Sequence, residues 1–209
     1  MKTPLDLNTW ARKEHFEFFK QFEEPFFGVV APIDCTKAYQ TAKEKGVSFF
    51  LYYLHKTLSA VNAVESFRYR IENDSVTVFD RIDASATLTR EDNTFGFSLV
   101  PFHEDFEVFQ ATALEEIERV RNTKGLFTRA FEADNLIHFS ALPWVDFTSL
   151  SHARSFTIPD SCPKISVGKM TTAQDGTRNM SVSVHVHHGL MDGYHVGIFF
   201  TKLQEFMDA

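Results

Sequence analysis

Residues Ser181-Val-Ser-Val-His-Val-His-His-Gly-Leu-Met-Asp-Gly-Tyr-His195 carry the decisive reading. Val182, Val184 and Val186 alternate with Ser181, Ser183 and His185, the period-two signature of a strand with one apolar and one polar face. The strand delivers His187 and His188 to its end. Gly189 and Asp192-Gly193 then turn the chain, and a helix is expected over roughly Tyr194–Phe206. A strand end is a rigid support that aims reactive side chains. Imidazole titrates near neutrality, so His188 is a candidate to take a proton from a hydroxyl or thiol. No Ser, Cys or Lys in the stretch is an obvious covalent nucleophile, which favours a general base acting directly on bound substrate. Two other readings stay open. His185 and His187, spaced as HxH on one face, can hold zinc with Asp192 or His195, although no complete ligand spacing is present. Alternatively, His185 is an ordinary sheet-surface residue and Asp192 only caps the last helix.

Working outward, Ile165–Thr172 and Asn179–Val186 read as strands joined through Asp175-Gly176, a strong turn signal. Leu136–Leu142 is a strand that Pro143 ends. Phe26–Ile33, Ala84–Thr89 and Thr94–Val100 are further strands, and Phe67–Ile71 and Val76–Phe79 form a hairpin about Glu72-Asn73-Asp74-Ser75. Helices are expected from a Thr9 cap to about Phe22, from Asp34 or Thr36 to Gly46, and over Phe49–Val64, the last apolar nearly all round. Phe106–Arg121 is a fourth, with Val108, Leu114, Ile117 and Val120 inward and Glu116 outward. Hairpins mixed with helices predict an α+β fold: a two-layer sandwich of a mixed, largely antiparallel sheet with helices packed on one face. No repeat or linker divides residues 1–209, so one domain is expected.

Composition narrows the function. The formal charge is -7 over 209 residues, which disfavours a nucleic-acid partner bound through basic charge. Two cysteines, Cys35 and Cys162, stand far apart, excluding a disulfide scaffold and a zinc ribbon and suggesting reduced thiols in a cytosol. No signal peptide or membrane span is evident, and a cytoplasmic location is expected. Phe is unusually frequent, 23 residues; core packing can absorb many of them.

His187-His188-Gly-Leu-Met-Asp192-Gly193 matches an HHxxxDG pattern, Trp10-Ala-Arg12-Lys-Glu14-His15-Phe16-Glu-Phe matches a first helix, and Ser140-Ala-Leu-Pro143-Trp144 matches a strand end. Together these resemble the chloramphenicol acetyltransferase family over nearly all of residues 5–207. The resemblance implies an acetyl-CoA-dependent O-acetyltransferase with no permanently bound cofactor and no metal, linked to antibiotic resistance. It implies a homotrimer with active sites between subunits. His188 is the implied general base, its ring held by contacts of its other nitrogen, and Ser140 the implied donor to the oxyanion. Asp192 is implied to form a buried ion pair with Arg12 that holds the catalytic loop. Trp144 and Lys169 are implied on the CoA side. Phe19, Phe27, Phe102 and Ser166 are implied around the acceptor, with Phe18 and Phe26 nearby. The chain departs from drug-acetylating members at Phe19, where they carry Tyr. It also departs at His152, Arg154 and Lys164, which fall where apolar pocket walls are expected. Such a wall suits a polar or anionic acceptor, so chloramphenicol leads but another small alcohol is the alternative. A non-catalytic binder on the same fold is a further alternative.

Overall fold

The computed structural model describes residues 1–130 and 134–209. The chain runs β1 (Lys2–Pro4), α1 (Lys13–Phe19), β2 (Phe26–Asp34), α2 (Thr36–Glu44) and α3 (Phe49–Ala63). A 3-10 turn (Glu65–Arg68) leads into β3 (Tyr69–Glu72), β4 (Ser75–Phe79), β5 (Asp83–Thr89), β6 (Phe95–Phe97) and α4 (Phe106–Arg121). Then come β7 (Leu136–Ala141), β8 (Lys164–Val167), β9 (Thr171–Thr172), β10 (Arg178–His187) and α5 (Gly193–Met207). Among the described residues, no helix is long and apolar enough to cross a membrane.

The large sheet has the order β2-β10-β8-β7-β5-β6, with β9 also paired to β10. β10 is antiparallel to β2, β8 and β9, while β7 runs parallel to β5 and β8. The mixed sheet and its helices are the expected α+β sandwich. A small second sheet, β1-β4-β3, flanks it. Its hairpin turns on Asn73 and Asp74 with φ of 48° and 60°, the left-handed pair that a two-residue turn demands.

Register sorts the large sheet into two faces. Ala84, Ile137, Phe139, Ile165, Val182 and Val184 share one face and are all fully buried or nearly so. Helix α3 covers it, with Phe50 against Phe139 at 6.3 Å between ring centres. Phe67, after α3, stacks on Phe199 of α5 at 4.8 Å. Each such side chain contributes roughly 1.5–3 kcal/mol by leaving water. The opposite face carries Ser85, His138, Ser140, Lys164, Ser166, Ser183 and His185. Instead of a helix, the strap of residues 145–163 lies on it, with His152 edge-on to His185 at 4.7 Å and Asp160 on Lys164 at 2.5 Å.

Several expectations need correction. The first helix starts at Lys13, because Thr9 bonds back to Asp6 in a preceding turn and Arg12 is the N-cap without a side-chain cap bond. It also stops at Phe19. Helix α4 is rotated: Phe109, Ala113, Glu116 and Val120 face inward, while Val108 and Leu114 are about half exposed at 47% and 49%. Glu116 tolerates burial because Arg119 grips both its oxygens at 2.7 Å and the Leu99 N–H donates to it at 2.7 Å. The expected strand over Ile165–Thr172 is interrupted, since the Lys169 N–H turns to the Val145 carbonyl at 2.8 Å. The strand over Thr94–Val100 shrinks to Phe95–Phe97, and β1 was not foreseen.

Candidate active site

The β2–β10 ladder closes at Phe26 opposite His187, and one residue on the His188 N–H donates to the Pro25 carbonyl at 2.8 Å. This fixes the backbone from which the His188 ring projects. Phe19 stacks flat on that ring, 4.0 Å between centres and 8° between planes, and Phe27 packs against it at 4.6 Å. Phe18 and Phe22 extend the aromatic cluster from Phe19. The ring is therefore gripped by aromatic faces. Among the described residues its buried Nδ1 has no hydrogen-bond partner, contrary to the expectation that contacts of this nitrogen hold the ring.

Behind the ring, Arg12 donates from Nη2 to the His188 carbonyl at 3.1 Å and from Nη1 to Asp192. Asp192 caps α5 through the Tyr194 N–H at 3.0 Å and lies 2.8 Å from Nδ1 of His195. Partial burial works against ionising Asp192, but the bonds from His195 and Arg12 outweigh it and pull its carboxyl down to about 2. The Arg12–Asp192 pair is formed as expected. It is not fully buried: the Asp192 side chain is 34% exposed, and His195 is a third member that sequence reading did not assign.

Ser140 sits on the polar face of β7, paired in register with Ser166, which pairs with Ser183. Thr87 Oγ1 donates to Ser140 Oγ at 3.4 Å, while the buried Ser166 Oγ has no partner. Ser183 lies five residues before His188. That is about 17 Å along the strand, and two strand spacings add about 10 Å sideways. His188 and Ser140 of one chain therefore cannot touch the same small molecule.

His152, Arg154 and Lys164 come together beside this row. Arg154 lies over the Phe26 ring at 3.6 Å and pairs with Glu24, and Lys164 pairs with Asp160. His185 lies over Gly28, where an added Cβ would come within 2.3 Å of Nε2, so the glycine makes room for the imidazole. His187 is pushed down to about 4, first by burial and then by Arg154, and its Nδ1 accepts the Gly189 N–H at 3.1 Å. It pins the turn after the strand. Among the described residues, no three His, Cys, Asp or Glu side chains gather as metal ligands. Trp144 is 71% exposed, and Lys169 is exposed close by. Phe102 does not join the site: it is buried against His55 at 5.7 Å, and its N–H donates to Asp83 at 2.8 Å.

The i, i+2 rule that found the polar face of β10 also runs through His138 and Ser140 in β7 and Lys164 and Ser166 in β8. That was the available signal for the missed His138. Nothing local marked Glu24 or Gly28, because their partners come from distant segments, whereas Asp160 lies four residues before its partner Lys164.

A mixed sheet backed by helices is the fold of the CoA-dependent acyltransferases. A probable dihydrolipoamide acetyltransferase of Listeria monocytogenes shares it at a TM-score of 0.65 and 15% identity, covering 99% of this chain and 93% of that one. More specifically, residues 2–204 match the family model for chloramphenicol acetyltransferase, and the chain belongs to that acyltransferase family. It is 31% identical to "chloramphenicol acetyltransferase 3" of Escherichia coli over 99% of this chain and 97% of that one. It is 29% identical to a chloramphenicol acetyltransferase of Proteus mirabilis over 98% and 94%. A solved chloramphenicol acetyltransferase superposes at a TM-score of 0.89 and 32% identity, covering 99% of this chain and all of that one.

Proposed function

We propose that this chain moves the acetyl group of acetyl-CoA to a hydroxyl of a small acceptor, chloramphenicol first among them, through His188 as general base. The observation that carries this is the His188 ring itself, clamped between Phe19 and Phe27 with Arg12 on its carbonyl. Aromatic stacking fixes the ring plane without consuming the second nitrogen. With its resting proton on Nδ1, Nε2 is left as an acceptor for the substrate proton. The acceptor hydroxyl loses its proton to Nε2 as its oxygen attacks the thioester carbonyl. Ser140 Oγ donates to the developing oxyanion, with the hydroxyl of Ser166 beside it. Collapse breaks the C–S bond, and the imidazolium returns its proton to the departing thiolate, giving the CoA thiol and neutral His188. Trp144 and Lys169 serve the CoA side, Phe19 and Phe27 the acceptor side.

The spacing within one chain supports a site completed by a second copy, the strand end of one meeting the polar face of the next. A closed homotrimer, each copy a single unit of residues 1–209, accommodates this. Partly exposed Phe18 at 58% and Phe22 at 45% suit that contact. In a bacterial cytoplasm this turnover would confer resistance to the drug.

The test is thiol release from acetyl-CoA with chloramphenicol as acceptor. Turnover is expected, and His188→Ala should lower it about 10³-fold. Retention of more than a few percent of the rate in that variant would sink the general-base role.

A further inference from the structure

The polar face of the large sheet holds more than acetyl transfer requires. Ser140 and Ser166 account for the reacting end. One row along, register sets His138, Lys164 and His185 side by side. The strap adds His152 over His185, Arg154 over Phe26 and Asp160 on Lys164.

The charges of this wall cancel. Lys164 is matched by Asp160, and Arg154 by Glu24. Burial, followed by the neighbouring His185 and Lys164, pushes His152 down to about 4, and burial likewise lowers His185. Both imidazoles are therefore neutral near pH 7. Among the described residues, three buried polar atoms in the wall have no hydrogen-bond partner: Nε2 of His152, Oγ of Ser166, and Nε of Arg154, which has only the Asp160 carboxylate at 4.0 Å. Arg154 Nε can only donate, Ser166 Oγ can do both, and a neutral imidazole nitrogen does one or the other. An atom left in this state typically costs about 1–3 kcal/mol.

We infer that the acceptor side of this site is built for an uncharged polyhydroxyl alcohol, with chloramphenicol a slower substrate. The inference rests on the acetyl-transfer reading above and names its preferred acceptor class. Each hydroxyl of such a molecule is donor and acceptor together, so it can complete a wall atom of either kind. A nitroaryl group offers weak acceptors and no donor, and sites built to hydrogen-bond discriminate strongly against ligands that lack the matching groups. The carboxylate of an anionic acceptor offers only acceptor atoms and meets cations already matched by Asp160 and Glu24. In the reaction the acceptor O–H proton ends on the CoA thiol, one C–S bond breaks and one C–O bond forms.

The experiment measures thiol release from acetyl-CoA by the assembled protein. The acceptors are sorbitol, myo-inositol and methyl glucoside, the anionic polyol gluconate, and chloramphenicol. At least one neutral polyol should exceed both gluconate and chloramphenicol in kcat/KM by about tenfold or more. His152→Leu should lower the polyol-to-chloramphenicol ratio by about tenfold while the thermal midpoint holds. Turnover of chloramphenicol with every neutral polyol inert overturns the inference and leaves acetyl transfer standing. So does a preference for gluconate, or a ratio that His152→Leu does not move. No thiol release with any acceptor overturns acetyl transfer itself, and this inference with it.

Discussion

The two faces of one sheet make opposite use of the same strands. Toward the helices, Phe139, Ile165 and Val184 are sealed within the chain. Away from them, Ser140, Ser166 and His185 face a strap of paired charges, with the Ser166 hydroxyl and Nε2 of His152 still lacking hydrogen-bond partners among the described residues. A period of two lets a single strand serve both purposes, stability on one side and chemistry on the other. The apolar face is complete in one chain. On the proposed mechanism the polar face holds only half of what acetyl transfer needs, since His188 sits far from Ser140.

That contrast can be broken from either side. On the apolar face, Phe139→Ala should cost about 3–5 kcal/mol of folding stability in denaturant unfolding, with activity falling only as folded protein is lost. A small loss there would mean that the helices do not depend on this face. On the polar face, Ser140→Ala should lower turnover by about two orders of magnitude, roughly 2.7 kcal/mol at the transition state, with the unfolding midpoint unchanged. A silent variant refutes the oxyanion role.

At the strand end both properties meet. Asp192→Asn keeps an acceptor for the Tyr194 N–H but removes the charge that holds Arg12 under the His188 carbonyl. Because the pair is part-exposed, the expected stability loss is only about 1 kcal/mol. Turnover should fall further than that loss explains. Equal proportional losses would make the Arg12–Asp192–His195 group merely structural.

The remaining expected effect is on acid stability. Burial first, then neighbouring cationic and imidazole groups, lowers His152 and His187 from 6.5 to about 4 in the folded protein. The unfolded chain therefore binds protons that the native chain refuses between those two values. Stability should fall as pH drops from about 6.5 to about 4. His187→Gln should flatten that slope, as measured by unfolding midpoints across the window. An unchanged slope would place the acid sensitivity elsewhere.

Much of this was legible in the sequence. The Ser181–His188 alternation gave the strand, its two faces and the delivery of His188. The Asn73-Asp74 turn and the all-round apolar helix α3 were equally plain. What failed did so for tertiary reasons. Glu116 looked like a solvent residue, because its burial depends on Arg119 and the Leu99 N–H rather than on its own helix period. Phe102 was assigned to the acceptor by resemblance, yet it packs on His55 in the core. The pairing of Arg154 with Glu24 joins segments that no linear pattern relates, whereas His195 and Asp192 stand at the i, i+3 spacing of a capping box.

The central claim is that one working site takes His188 from one copy and Ser140 from another. Co-expression of His188→Ala and Ser140→Ala chains, followed by thiol-release assay of the purified mixed oligomer, tests it most directly. Pairing the intact His188 of one variant with the intact Ser140 of the other should restore about a quarter of wild-type turnover, far above either variant alone. Turnover no greater than the average of the two separate variants would place both groups of each site in a single chain and contradict the account.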